Sequence, residues 1–304
     1  PTTTSITTTY AGEFAGKYVA AALLSSPTID NGGVEVMPNV KYKQVIQKIG
    51  VDGLLKDATC DFSATSTVAL TERILTVKDL QVNLNLCKKD YHQTWQGIEQ
   101  GFSAHDVMPK SFQDYLLQLV AEKVASENEV AIWRGAAGTT GSYDGFVTKI
   151  SADAGLPTAN EIAGTTVTSS NVLAELGKIV DAIPATLYGK EDLYIYVSQN
   201  IYRAYVRALG GFQSGGQGAA GYDAKGNNQN FGDLVFDGVK IFVANGLANN
   251  TAIAAQKSNL FFGTGLLSDY NEVKVLDMSD IDGSQNFRII MRYTAGTQVG
   301  ILSD

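Results

Sequence analysis

The sequence is poor in the residue types from which catalytic, metal and cofactor sites are most often built. Its 304 residues include only 2 histidines and 2 cysteines. His92 and His105 fit neither H-E-x-x-H nor a Cys/His zinc spacing. Cys60 and Cys87 lie far apart and read as reduced thiols of an intracellular chain, with a disulfide left open by the residues alone. There is no G-x-S-x-G elbow and no G-x-x-x-x-G-K-[ST] loop. The string Gly216-Gln217-Gly218-Ala219-Ala220-Gly221 matches G-x-G-x-x-G. That motif needs a strand before it and a helix after it, whereas here a helical pattern precedes and polar coil follows. Asp277, Asp280, Asp282 and Gly283 form half of a calcium loop without its third oxygen ligand, its glycine or its terminal glutamate, and read as an acidic turn. These absences predict a chain with no catalytic residue, no metal and no cofactor.

Charge is also scarce. Charged residues make up 18% of the chain, below the ~25% usual for globular proteins, while Gly, Ala, Ser, Thr and Asn are plentiful. Such surfaces suit burial against neighbours. A net charge of −8 and the lack of a Lys/Arg cluster exclude tight holding of nucleic acid through its phosphates and leave only loose, nonspecific proximity. No apolar run approaches the ~20 residues that span a bilayer, and no signal peptide is recognisable, so no membrane partner is expected. Pro1 in first position predicts that an original start, a lone Met or a longer leader, has been removed.

What is present begins with Lys110 to Arg134, the longest helical pattern, with Pro109 before it and Gly135 placed for a left-handed stop. At 1.5 Å per residue it forms a strut about 37 Å long. Phe112, Tyr115, Leu116, Leu119, Val120, Val124 and Ala131 make an apolar stripe, with Asp114, Gln118, Glu122, Ser126 and Glu129 opposite. The stripe drifts after about four turns as Ile132 and Trp133 point elsewhere, so the two halves should meet different neighbours.

Around the strut, residues 1–9 are low-complexity and β-branched, and Tyr10 to Leu24 has helical spacing. Tyr42 to Val51 reads as a strand, and residues 52–72 have no sustained period. Leu80, Val82, Leu84 and Leu86 alternate with Gln81, Asn83, Asn85 and Cys87 as the clearest strand. Two strand-like runs flanking a polar excursion predict an extended hairpin arm. Past the strut, a Gly-rich turn returns to a strand at Phe146 to Ile150. Ser169 or Ser170 caps a helix to Ile183, Leu193 to Val197 is a buried strand, and Ser198 caps a helix to Leu209. Residues 210–230 form a Gly-rich loop, and Leu234 to Val243 a hairpin about Asp237-Gly238. Strands follow at Asn259 to Phe262, Glu272 to Leu276, Phe287 to Tyr293 and Thr297 to Ile301.

This order of pieces, together with VAEKVASENEVAIWRGAAG…YDGFVTKI, LYIYVSQNIYRAYVRAL, FDGVKIFVAN and NFRIIMRYTAGTQVG, resembles the major capsid protein of tailed bacteriophages. The resemblance implies an α+β Hong Kong 97 fold. It implies an N-arm over 1–40, a strand and E-loop segment over 41–96 with the E-loop itself at 51–82, and a peripheral domain over 97–154 and 281–304. The spine helix is then 110–134 and the axial domain 155–280. It further implies a structural, non-enzymatic subunit forming the pentamers and hexamers of an icosahedral head around double-stranded DNA. Scaffold and portal proteins would be its partners, with assembly in the host cytoplasm and residence in the virion. Lys56, Asp57, Phe62, Arg73, Glu122, Phe212 and Tyr222 are the intersubunit contacts expected on this view. Encapsulins, shells around cargo enzymes, resemble the same fold. A candidate of another class is a cytoplasmic hydrolase with a long lid, in which His92 or His105 would carry activity.

Overall fold

A computed structural model describes residues 27–53, 55–58, 60, 64, 67–87, 110–209, 234–265 and 273–302. The expected helix at Tyr10 to Leu24, Phe62, both histidines, Pro109, the G-x-G-x-x-G string, Phe212 and Tyr222 lie outside these residues. In chain order the elements are α1 (Pro27–Asp30), β1 (Glu35–Met37), β2 (Lys43–Asp52), β3 (Thr67–Thr76), β4 (Lys78–Cys87), α2 (Lys110–Arg134) and α3 (Phe146–Ala152). There follow α4 (Val172–Ala182), β5 (Leu193–Val197), α5 (Gln199–Ala208), β6 (Val235–Phe236), β7 (Val239–Val243) and β8 (Ala252–Gln256). The last are β9 (Leu260–Thr264), β10 (Val273–Asp277), α6 (Ser279–Asp282) and β11 (Asn286–Val299).

Three sheets organise the described residues. The first is five-stranded, ordered β1-β9-β11-β10 with β4 also paired to β11. Here the expected strands at Phe287–Tyr293 and Thr297–Ile301 are one continuous strand, β11, which pairs with β4 along one edge and, along the other, with β10 up to Met291 and with β9 from Ala295. Gly296 does not interrupt it; the residue is small because any side chain would collide with the backbone of Thr76 where the chain crosses. The second sheet, β6-β7-β5-β8, carries α4 and α5 over Val172, Leu176, Ile195, Val197 and Ile241. Asp237 (φ 45°) and Gly238 (φ 80°) both take positive φ, as a two-residue hairpin turn between β6 and β7 requires. The third sheet is β2 paired with β3 alone.

Long helix α2 has the expected bounds and meets two sets of neighbours. Its first half rests Val120 and Val124 on Phe287, Ile289 and Met291 of β11. Its last turns bury Ile132 and Trp133 completely among Phe146, Tyr196 and Phe262. Two expectations fail here. Ser126 and Glu129, placed on the outer face by spacing, are buried, Glu129 because the segment before β1 and the turn between β7 and β8 pack onto it. Gly135 takes no positive φ; it is small because a side chain there would strike the carbonyls of Ala131 and Tyr143.

Phe146 to Ile150 is not a strand but the start of α3. Five residues with apolar positions at 146, 147 and 150 fit either period, and the helix is chosen because it sets the fully buried Phe146 against Trp133, ring centroids 5.5 Å apart. The extended hairpin also differs from expectation in its second strand. β2 pairs with β3, whereas β4 leaves the hairpin and pairs with β11.

Candidate assembly surface

Strands β2 and β3 run antiparallel with Val45 opposite Ile74, Gln47 opposite Glu72 and Ile49 opposite Leu70, and Val68 follows on the same face two residues from Leu70. Directly opposed residues share a face, so these pairs form one ladder. It is apolar apart from Gln47 and Glu72 at its middle, and it faces solvent. Ile49, Val68 and Leu70 are 66%, 66% and 60% exposed, and Val45 and Ile74 48% each. Tyr42 is exposed at one end, and Leu55, beyond the other, is 97% exposed. A two-stranded hairpin is marginal in water by itself, and exposed apolar side chains gathered on one face of it make that face a candidate interaction surface.

The base of the hairpin is anchored firmly. Leu75 is fully buried, with Val77 and Val40 beside it. Its side chain presses on Gly263, where any Cβ would collide with it. Gln298 Nε2 donates to the Ile74 carbonyl at 3.1 Å. Lys78 Nζ donates to the carbonyls of Ser142 (2.7 Å) and Ala137 (3.2 Å), joining the start of β4 to the turn after α2. Farther along, Arg73 Nη1 lies 2.7 Å from Asp153 Oδ2. The Gly155 N–H, followed by the Arg73 guanidinium, holds the Asp153 carboxyl below the usual carboxylate range.

The body itself is joined by a buried polar node. Glu129 Oε1 accepts from Thr28 Oγ1 at 2.6 Å and from the Gly246 N–H at 3.3 Å, and its Oε2 accepts from the Thr28 N–H at 3.3 Å. Thr28 Oγ1 in turn accepts from Trp133 Nε1 at 2.8 Å. Glu129, Thr28 and Trp133 are all fully buried. Gly246 must be glycine, because a Cβ would overlap the Glu129 backbone. The node thus ties the chain preceding β1, the end of α2 and the turn between β7 and β8 into one joint. Next to it the Tyr196 hydroxyl donates to the Gly33 carbonyl at 2.5 Å. Burial pushes that phenol far above its ordinary range, keeping it a donor.

Of the contact residues expected from sequence, Lys56 and Asp57 lie exposed between β2 and β3, and Arg73 lies on β3 with its bond inside the same chain. Glu122 is exposed on α2 and accepts from Gln118 Nε2 at 2.8 Å. The structure brings Lys56, Asp57 and Arg73 onto one hairpin and sets Glu122 apart. The apolar ladder was missed; its only sequence signal is β-branched and leucine residues at every second position of two runs, which becomes visible once the two are paired. Among the described residues no three His, Cys, Asp or Glu side chains gather as a metal site, and no helix is long and apolar enough to cross a membrane. Asp277 Oδ1 instead accepts from the Ser279 N–H and hydroxyl, and Asp282 Oδ1 from the Ser284 N–H, within the acidic turn.

The long helix on a five-stranded sheet, the second α/β layer and the projecting hairpin make an α+β Hong Kong 97-type capsid fold. No protein-family model and no curated protein matches the chain. Solved structures do. The capsid of the native GTA particle is 12% identical with a TM-score of 0.59, covering 95% of this chain and 91% of that one. A structure from Mycobacterium phage Ogopogo is 11% identical with a TM-score of 0.58, covering 95% and 92%. The capsid structure of the cyanophage P-SCSP1u is 14% identical with a TM-score of 0.56, covering 95% and 89%. At such identities the likeness is one of fold.

Proposed function

We propose that this chain is a structural subunit that self-assembles into the pentamers and hexamers of an icosahedral tailed-phage head around double-stranded DNA. The observation that carries the reading is the exposed apolar ladder on a two-stranded hairpin, in a chain with the fold of phage and GTA capsids. A second copy of the chain is the surface that covers the ladder. In this reading residues 51–82 are the E-loop, α2 the spine helix, residues 97–154 and 281–304 the peripheral domain and residues 155–280 the axial domain. Lys56 and Asp57 then sit where a neighbour is reached, with Phe62, Phe212, Tyr222 and Glu122 as further contacts. Scaffold and portal proteins are partners during assembly in the host cytoplasm, and the finished subunit resides in the virion.

The net charge of −8 suits a shell that contains DNA without gripping it, because many phosphate contacts would oppose packaging and release. Sedimentation of the purified protein, with electron microscopy of the fastest fraction, tests the reading. Closed shells or rings of five and six subunits support it. A strict monomer at high concentration, with scaffold candidates added, refutes it, and shells filled with a cargo enzyme would make the chain an encapsulin-type subunit instead.

A further inference from the structure

The base of the hairpin is packed into the body, but the part beyond it is not. On the face opposite the ladder, Ile46 and Arg73 lie directly across from each other. Below them an open cleft of about 520 Å³ separates the strands, at Ile46, Lys48 and Thr71, from the body, at Gln256, Ser258 and Phe261. The bond from Arg73 to Asp153 spans this gap.

Its acceptor is oriented in advance. Asp153 ends α3, and its Oδ1 accepts the Gly155 N–H at 2.9 Å, so the turn fixes the carboxylate and presents Oδ2 to the guanidinium. A planar guanidinium against a fixed carboxylate gives a direction as well as an attraction. The two side chains keep 29% and 31% of their exposure, and ion pairs this accessible contribute little to folding. Their effect falls on geometry. From Arg73 to Thr67 the strand runs about 20 Å, so a swing of only ~10° displaces its end by about 3.5 Å. That is close to the span of one apolar contact.

We propose that Arg73 and Asp153 are a positioning pair, fixing the angle at which the hairpin leaves its subunit and so where the ladder meets the next copy. The proposal rests on the assembly reading for its consequence, but not for the geometry in the isolated subunit. Nitroxide labels on the native thiols test it, since Cys60 is exposed on the hairpin and Cys87 ends β4 on the body. Distances between them are measured by pulsed electron resonance in dilute, unassembled protein.

The intact chain should give one narrow distribution. Asp153→Asn, which keeps the acceptor for Gly155, and Arg73→Gln should each replace it with a broad one. The single variants should form particles of irregular size or none. Unchanged distributions in both single variants would overturn the positioning role. Broad distributions with particles of normal size and yield would overturn its link to assembly. If the unmodified chain forms no shells at all, the assembly reading fails while the distances still decide whether the pair sets the hairpin.

Discussion

Two regions of this molecule treat polarity in opposite ways. At the node, a carboxylate, a threonine, an indole N–H and a glycine amide are buried together and bonded to one another. On the hairpin, Val45, Ile49, Val68, Leu70 and Ile74 are left in solvent. The first arrangement is complete within one chain, because each named polar atom has its partner there. The second has no cover within the described residues of the chain. On the proposed assembly reading the two separate what the subunit needs to fold from what it needs to associate, and substitutions in the two regions should therefore fail differently.

The largest effects belong to the body. Trp133→Ala should destabilise the subunit by about 3–5 kcal/mol, removing a fully buried ring and the Nε1 bond to Thr28. Glu129→Ala should add about 1–3 kcal/mol of cost for each buried donor it strands at Thr28 and Gly246. Urea denaturation followed by circular dichroism measures both, and a change below 1 kcal/mol in either would mean that the node is not what holds the body together. Leu116→Pro should cost roughly 3 kcal/mol or more by breaking α2. A soluble Leu116→Pro protein with an unchanged melting temperature would contradict the strut.

Hairpin changes should leave folding intact and remove association. Ile49→Ser with Leu70→Ser should alter stability by no more than about 0.5 kcal/mol, since both side chains are already exposed. Particles should nevertheless disappear from sedimentation profiles. Deleting residues 54–70 should have the same outcome, and normal shells from it would show that the arm is dispensable. The smallest effect concerns pH. The folded pKa of Asp153 lies below its ordinary value, so its contribution is present above the unfolded value and is lost only as pH falls through the lowered folded value. The hairpin distance should thus hold from neutral pH down to about pH 4, near the ordinary Asp value. Loosening already at pH 6 would point to another group.

The sequence was most legible where one element carries its own period. Long helix α2 with its change of neighbours, β4, β5 and the Asp237-Gly238 hairpin follow from spacing and turn chemistry. It misled where a third body decides. Ser126 and Glu129 look like an outer face yet are buried, Glu129 under Thr28 and the turn at Gly246. Phe146 to Ile150 is too short for its period to choose, and two strands were expected on either side of residues 294–296 although β11 runs through them. The hairpin was legible only as an arm. Lys56, Asp57 and Arg73 lie on that arm, yet the ladder depends on the register of β2 against β3, and Glu72 and Leu75 disguise the alternation of β3.

The most direct test of the central claim is a density map of the assembled particle at side-chain resolution. The ladder face, with Val45, Ile49, Leu70 and Ile74, should lie buried against a neighbouring copy while the node at Glu129 keeps the bonds described above. A particle in which that face stays in solvent, or folds back on its own subunit, would contradict the account.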